Sequence, residues 1–122
     1  MKILLVSDSI EQKRAVQKHF ASRGTEILHY VHPIKAMDNL DEIDPDVILF
    51  SAADFPRHRK PFLVFLRDLR GRDSAIFVLL KDRRFQVEEA SKAEHLQVNA
   101  ILDGDLDDEQ TVERLGTIIS RY

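Results

Sequence analysis

The sequence predicts a doubly wound α/β domain, a parallel sheet with helices on both faces. Three observations carry this reading. Five short apolar runs alternate with longer segments of helical periodicity. The connections between them are short, which implies right-handed crossovers. The runs are continuously aliphatic rather than alternating, as in strands covered on both sides. At 122 residues, 43% hydrophobic and 32% charged, the chain has the length of one domain, residues 1–122, with a core of its own.

Ile3 to Val6 is the first strand, entirely aliphatic. Asp8 and Glu11 then stand at capping-box spacing before a segment whose Val16 and Phe20 share one helical face. Gly24 falls where a C-terminal cap belongs, so the spacing predicts a helix over residues 9–23. Thr25 to Val31, rich in β-formers, reads as the second strand. Pro33 pre-sets the first turn of one short helix carrying Ile34, Met37 and Leu40, and Asp44-Pro45 ends it. Val47 to Phe50 is the most apolar run, which predicts a strand near the sheet centre. Phe62, Phe65, Leu66 and Leu69 form a helical stripe closed by Gly71. Ala75 to Leu80 is the fourth strand. Phe85 to Leu96 predicts a poorly amphipathic helix with Val87, Ala90 and Ala93 as its inward residues. Ala100 to Leu102 is a brief fifth strand, and Val112, Leu115, Ile119 and Tyr122 give the last helix its buried face. Ligands of such sheets bind outside the carboxyl ends of the strands, so function is sought after Val6, Phe50, Leu80 and Leu102.

Composition removes several classes of function. A formal charge of −3 gives no overall drive toward nucleic acid or an anionic membrane, and neither is an expected partner. Cysteine is absent, which excludes disulfides, thiolate metal sites and cysteine nucleophiles. The opening "MKILLVSDS" has one Lys and too short an apolar run for a signal peptide or a membrane span, so a cytoplasmic location is expected.

The succession of elements resembles the receiver (CheY-like) domain of two-component response regulators over essentially the whole chain. "KILLVSDS" is similar to that family's opening strand and acidic pair, and "DPDVILFSAADFP" to its strand with the phosphorylated aspartate. The resemblance implies a flavodoxin-like three-layer sandwich, strand order 2-1-3-4-5, with five helices. In receivers two acidic residues after the first strand hold magnesium beside the phosphoacceptor. A Ser or Thr after the fourth strand and a Lys after the fifth bind the phosphoryl group. This sequence departs at nearly every one of those positions. Ser7 replaces the first acid and Asp8 keeps the second, while Ser51 stands at the phosphoacceptor position and Leu80 at the hydroxyl position. Gly104 or Asp105 replaces the lysine, according to a one-residue alignment choice, and Ile101 replaces the switch aromatic. The loop to Pro56 is one residue longer than the family's.

These losses act together. Magnesium takes hard oxygen ligands, usually one or two carboxylates with phosphate and water, and Asp8 alone makes a poor site. Phosphoryl transfer needs positive charge for the equatorial oxygens, which Leu80 and Gly104 do not supply. A serine hydroxyl is a weak nucleophile without a positioned base, and the nearest histidine in sequence, His58, lies across a loop from Ser51. No catalysis, metal or cofactor is expected.

Other features have competing readings. Asp54 is either a displaced phosphoacceptor or a loop carboxylate or cap. "DGDLDDE", Asp103 to Glu109, has the alternating Asp of a calcium loop, but Asp108 stands where that loop needs Gly and Arg114 where it needs Glu, so the run reads as capping for the last helix. The five histidines show no metal-ligand spacing. Two basic loops, with Arg57, Arg59 and Lys60 after the third strand and Lys81, Arg83 and Arg84 after the fourth, predict a shared anion-binding rim or a solvated one.

The expected function is that of a phosphorylation-independent pseudo-receiver, a non-enzymatic module for protein-protein interaction in signalling. The receiver resemblance directs the interaction to residues 85–121, with Phe85, Glu88, Glu89, Lys92, His95, Ile101, Glu113 and Arg114 on that face. The alternatives are an anion or nucleotide sensor using the basic loops, and an atypical receiver phosphorylated at Asp54. The expected partner is another protein or an effector domain linked to it in a longer chain of which this is the N-terminal domain; a cyclic-dinucleotide-binding domain is one such effector.

Overall fold

The computed structural model describes residues 1–22, 24–52, 54–55, 57–70, 75–81 and 98–120, with the side chains of 59 and 68–70 outside the description. Five parallel strands, β1 (Lys2–Val6), β2 (Glu26–Tyr30), β3 (Val47–Ser51), β4 (Ile76–Lys81) and β5 (Ala100–Asp103), form one sheet in the order β2-β1-β3-β4-β5. The described helices are α1 (Ile10–Phe20), α2 (Pro33–Asp38), α3 (Leu40–Ile43), α4 (Arg59–Arg70) and α5 (Glu109–Ser120). None of them is long and apolar enough to cross a membrane.

The aliphatic runs split between two cores because successive side chains on a strand face opposite ways. Ile3, Leu5, Val47, Leu49, Val78 and Leu80 pack with Ala15 and Val16 of α1 and Leu115 of α5. Leu4, Val6, Ile48, Phe50, Phe77 and Leu79 pack with Ala36, Leu40 and Ile43 of α2 and α3 and with Phe62, Leu63 and Leu66 of α4. β3 is central, as its composition predicts, and all five of its residues are buried. Phe50, Phe62 and Phe77 form an aromatic knot at the second core, with centroids 5.1, 5.8 and 6.1 Å apart.

Several expectations are corrected. α1 starts at Ile10 on an N-cap from Ser9, not Asp8, because the Ser9 side chain accepts the Gln12 N–H at 3.2 Å. It stops at Phe20 on the extended Ala21, short of Gly24. Gly24 instead makes the tight turn into β2: its φ is +89°, and Thr25 N donates to Ser22 O at 3.0 Å. The single helix expected after Pro33 is two short ones, divided at Asn39; Pro33 does open the first, and Asp44, at φ 49°, ends the second in the left-handed region. Phe65 is 38% exposed, and Leu63 takes its expected place in the core. On α5 the buried residues are Thr111 and Leu115, with Val112 and Ile119 only half-buried. The helix expected over Phe85 to Leu96 and the Gly71 and Tyr122 readings lie outside the described residues.

Candidate functional site

The carboxyl ends of β4 and β5 and the described residues that follow β1 and β3 are joined by hydrogen bonds. Ser7, fully buried just after β1, donates its hydroxyl to Gln12 Oε1 and accepts the Ser9 N–H at 3.0 Å. A hydroxyl has one proton, so the 3.4 Å approach of Ser7 Oγ to Asp54 Oδ2 is secondary. The Ser9 cap fixes the first turn of α1 and with it the origin of the Gln12 side chain. That side chain spans the strand ends, its Nε2 donating to Gly104 O at 2.9 Å. Gly104 N in turn donates to Lys81 O at 2.8 Å, closing β5 onto β4.

The third strand enters from the other side. Ser51, 2% exposed, accepts the Asp54 N–H on Oγ at 3.3 Å, and Asp54 Oδ2 accepts the Asp8 N–H at 2.9 Å. The Asp54 carboxylate is therefore a cap on the β1–α1 loop. A Cβ at Gly104 would meet Lys81 O at 3.0 Å and Gln12 Nε2 at 3.2 Å, so the convergence leaves no room there for a side chain without a shift.

Chemically this is a closed set. Ser51 Oγ accepts a backbone N–H, and the His58 ring lies edge-on to Phe55 at 6.5 Å. Leu80, 1% exposed, puts aliphatic surface at the end of β4, whereas Asp8 is exposed. Among the described residues no group of three or more His, Asp or Glu is arranged to hold a metal ion. Gln12 is the member that sequence reasoning missed; the signal was present as Ser9-x-x-Gln12, an N-cap with glutamine three residues on.

The remaining candidates distribute as follows. Arg57, Lys60 and Lys81 are exposed; the Arg59 side chain, Arg83 and Arg84 lie outside the described residues. Phe85, Glu88, Glu89, Lys92 and His95 also lie outside them, while Glu113 and Arg114 are exposed on α5 and Ile101 is half-buried against the α2–α4 core. Asp108 Oδ2 accepts both the Thr111 N–H and its hydroxyl at 3.1 Å, so the acidic run caps α5 as expected. Asp107 instead reaches α1, bonded to His19 Nε2 at 2.9 Å with Lys18 Nζ at 3.6 Å. The His19 hydrogen bond, aided by Lys18, holds the Asp107 carboxyl below the ordinary aspartate range.

The fold is that of receiver domains. A two-component response regulator from Legionella pneumophila aligns with a TM-score of 0.77 at 20% identity, over 100% of this chain and 99% of its own. The pseudo-receiver domain of the CikA protein aligns with a TM-score of 0.60 at 22% identity, over 98% of this chain and 93% of its own. In sequence, an "Uncharacterized protein" of Treponema pallidum (strain Nichols) is 31% identical over 110 residues, 90% of this chain and 48% of that protein. This chain thus spans about half the length of that relative. The TP_0454_N family, described as an N-terminal domain, matches residues 1–98, and the chain belongs to that family.

Proposed function

We propose that the chain is a pseudo-receiver: a non-enzymatic cytoplasmic module that signals through protein contacts without being phosphorylated. The observation that carries this is the occupation of the carboxyl edge by the protein's own groups. Gln12 and Asp54 use the Ser7 hydroxyl, the Asp8 N–H and the Gly104 carbonyl, and Leu80 fills the floor beside Ser51. A phosphoryl group and its magnesium need hard ligands and positive charge at this place, and the side chains there provide caps and aliphatic surface. Asp54 Oδ2 is already engaged by the Asp8 N–H of the β1–α1 loop. The receiver fold, together with the N-terminal place of the matched family, supports an output made by a separate protein or by a linked effector domain.

The test is an amide NMR titration with magnesium and beryllofluoride. No saturable shifts are expected at Asp8, Ser51, Asp54 or Leu80. Saturable shifts there in the unaltered protein would overturn the reading, and a Ser51→Asp variant is expected to stay silent because the other ligands are still missing.

A further inference from the structure

The segment between β5 and α5, residues 104–108, is exposed at Asp105, Asp107 and Asp108 and buried at Leu106, which is 2% exposed. It is bonded to itself. Asp105 N donates to Asp103 Oδ1 at 2.9 Å, Asp107 N to Asp105 Oδ1 at 3.1 Å, and Asp108 N to Asp105 O at 3.2 Å. These bonds make the segment one body. Its last residue sets the start of α5, since the Asp108 carboxylate caps Thr111 and the Asp108 carbonyl accepts the Val112 N–H at 2.9 Å. The same body is fastened to α1 at two places. Gln12 Nε2 donates to Gly104 O at 2.9 Å. Seven residues further along α1, His19 Nε2 is bonded to Asp107 Oδ1 at 2.9 Å, with Lys18 Nζ at 3.6 Å. A carboxylate only accepts, so His19 donates, which asks for a proton on Nε2 and no particular charge on the ring. Seven residues span about 10 Å of helix, and Gln12, Ala15, Val16 and His19 fall on one stripe at i, i+3, i+4 and i+7. Ala15 and Val16, midway between the fasteners, belong to the same core as Leu106. The segment therefore follows that stripe, Gly104 at Gln12 and Asp107 at His19, with Leu106 between them.

We infer that residues 104–108 are a strap along α1 that seats and lifts as one unit, and that its movement switches the carboxyl edge of the sheet and the first turn of α5 together. The internal bonds carry the release from one end to the other, so loss of either fastener weakens the seating of the whole strap. Lifting takes Leu106 out of the core and parts Gly104 N–H from Lys81 O, a bond of 2.8 Å in the seated form. The Gln12 end is joined through the Ser7 hydroxyl to the end of β1, and the Asp107 end lies in the open, so the strap links an inner group to an outer one. The inference rests on these contacts and is independent of whether the edge accepts a phosphoryl group.

The chain has no cysteine, so Leu106→Cys places a single thiol beneath the strap, and its rate of labelling by an aromatic disulfide reads lifting at the middle. Hydrogen exchange of the Gly104 amide and the NMR signals of the His19 ring read the two ends in the protein without that thiol. His19→Ala should speed Gly104 exchange and thiol labelling by the same factor, about threefold to tenfold for one hydrogen bond. Gln12→Ala should speed labelling comparably and move the His19 ring signals toward those of a free side chain. Together the two changes should multiply. His19→Gln, which keeps an amide donor at a similar reach, should return Gly104 exchange toward its original rate. Slow exchange at Leu49 and Phe50 of β3 checks that each variant stays folded, and the amide and ring readings stand if the cysteine variant does not fold. A Gly104 amide indifferent to His19→Ala, His19 signals indifferent to Gln12→Ala, or a thiol as protected in the double variant as in its parent would overturn the inference.

Discussion

The two ends of β1 are tied to the β3 segment by the same chemistry with different support. At the amino end, Asp46 precedes β3 and accepts the Lys2 N–H at 2.7 Å on Oδ2; at the carboxyl end, Asp54 follows β3 and accepts the Asp8 N–H at 2.9 Å. Asp46 is half-buried and belongs to the ladder itself, its N–H donating to Lys2 O at 2.9 Å and its carbonyl accepting Ile76 N–H at 3.0 Å, while Lys2 Nζ adds a bond to Ile43 O. Asp54 is exposed and stands on a loop. The amino edge is thus finished by backbone, and the carboxyl edge, where doubly wound sheets bind ligands, is finished by side chains.

The comparison can be broken most directly at Asp46. Asp46→Ala should destabilise the fold by about 1.5–3 kcal/mol, since it removes a charged acceptor from a part-buried N–H, read as a shift in urea midpoint. Leu80→Thr probes the floor of the carboxyl edge. A hydroxyl placed among Leu5, Leu49 and Leu102 should cost about 1–3 kcal/mol in the same measurement. An unchanged midpoint would mean that the edge tolerates a polar group there.

Gly104→Ala sharpens the question of how tightly the loops converge. The added carbon is 3.0 Å from a backbone oxygen, which cannot rotate away, so a cost of about 1–2 kcal/mol is expected. Asp54→Ala should cost less, about 0.5–1 kcal/mol, because water reaches the exposed Asp8 N–H that it uncovers. If Asp54→Ala proves as damaging as Asp46→Ala, the two edges are equally structural.

The smallest effect concerns pH. The Asp107 carboxyl is lowered in the folded protein by the His19 hydrogen bond, so the folded state binds a proton there less readily than the unfolded chain. Its stabilising contribution is complete above the ordinary aspartate range and is lost as pH falls through the lowered folded value. Asp107→Asn should flatten the acid limb of the stability profile by lowering its neutral plateau slightly while leaving the acid end unchanged.

The receiver architecture was legible in the sequence because β3 and its neighbours must be apolar on both faces, and only a sheet with helices on both sides buries them so. Pro33, Asp44 and the helix-capping Asp108 were legible for local reasons: Pro33 and Asp44 act through their own backbone, and the Asp108 carboxylate caps the residue three positions on. Phe65 was misassigned because a stripe at helical spacing does not say how wide the core beneath it is, and Leu63 fills that space instead. The N-cap at Ser9 was missed in favour of Asp8 because both residue types can cap, and the choice depends on Ser7 anchoring the Ser9 N–H. The sequence by itself determined which residues, Ser7, Ser51, Leu80 and Gly104 among them, end the apolar runs. Only the tertiary structure decided how those strand ends are joined, since Gln12 reaches Gly104 across 92 residues of chain and Asp54 reaches Asp8 across 46, and such pairings arise only when the strand ends are brought side by side.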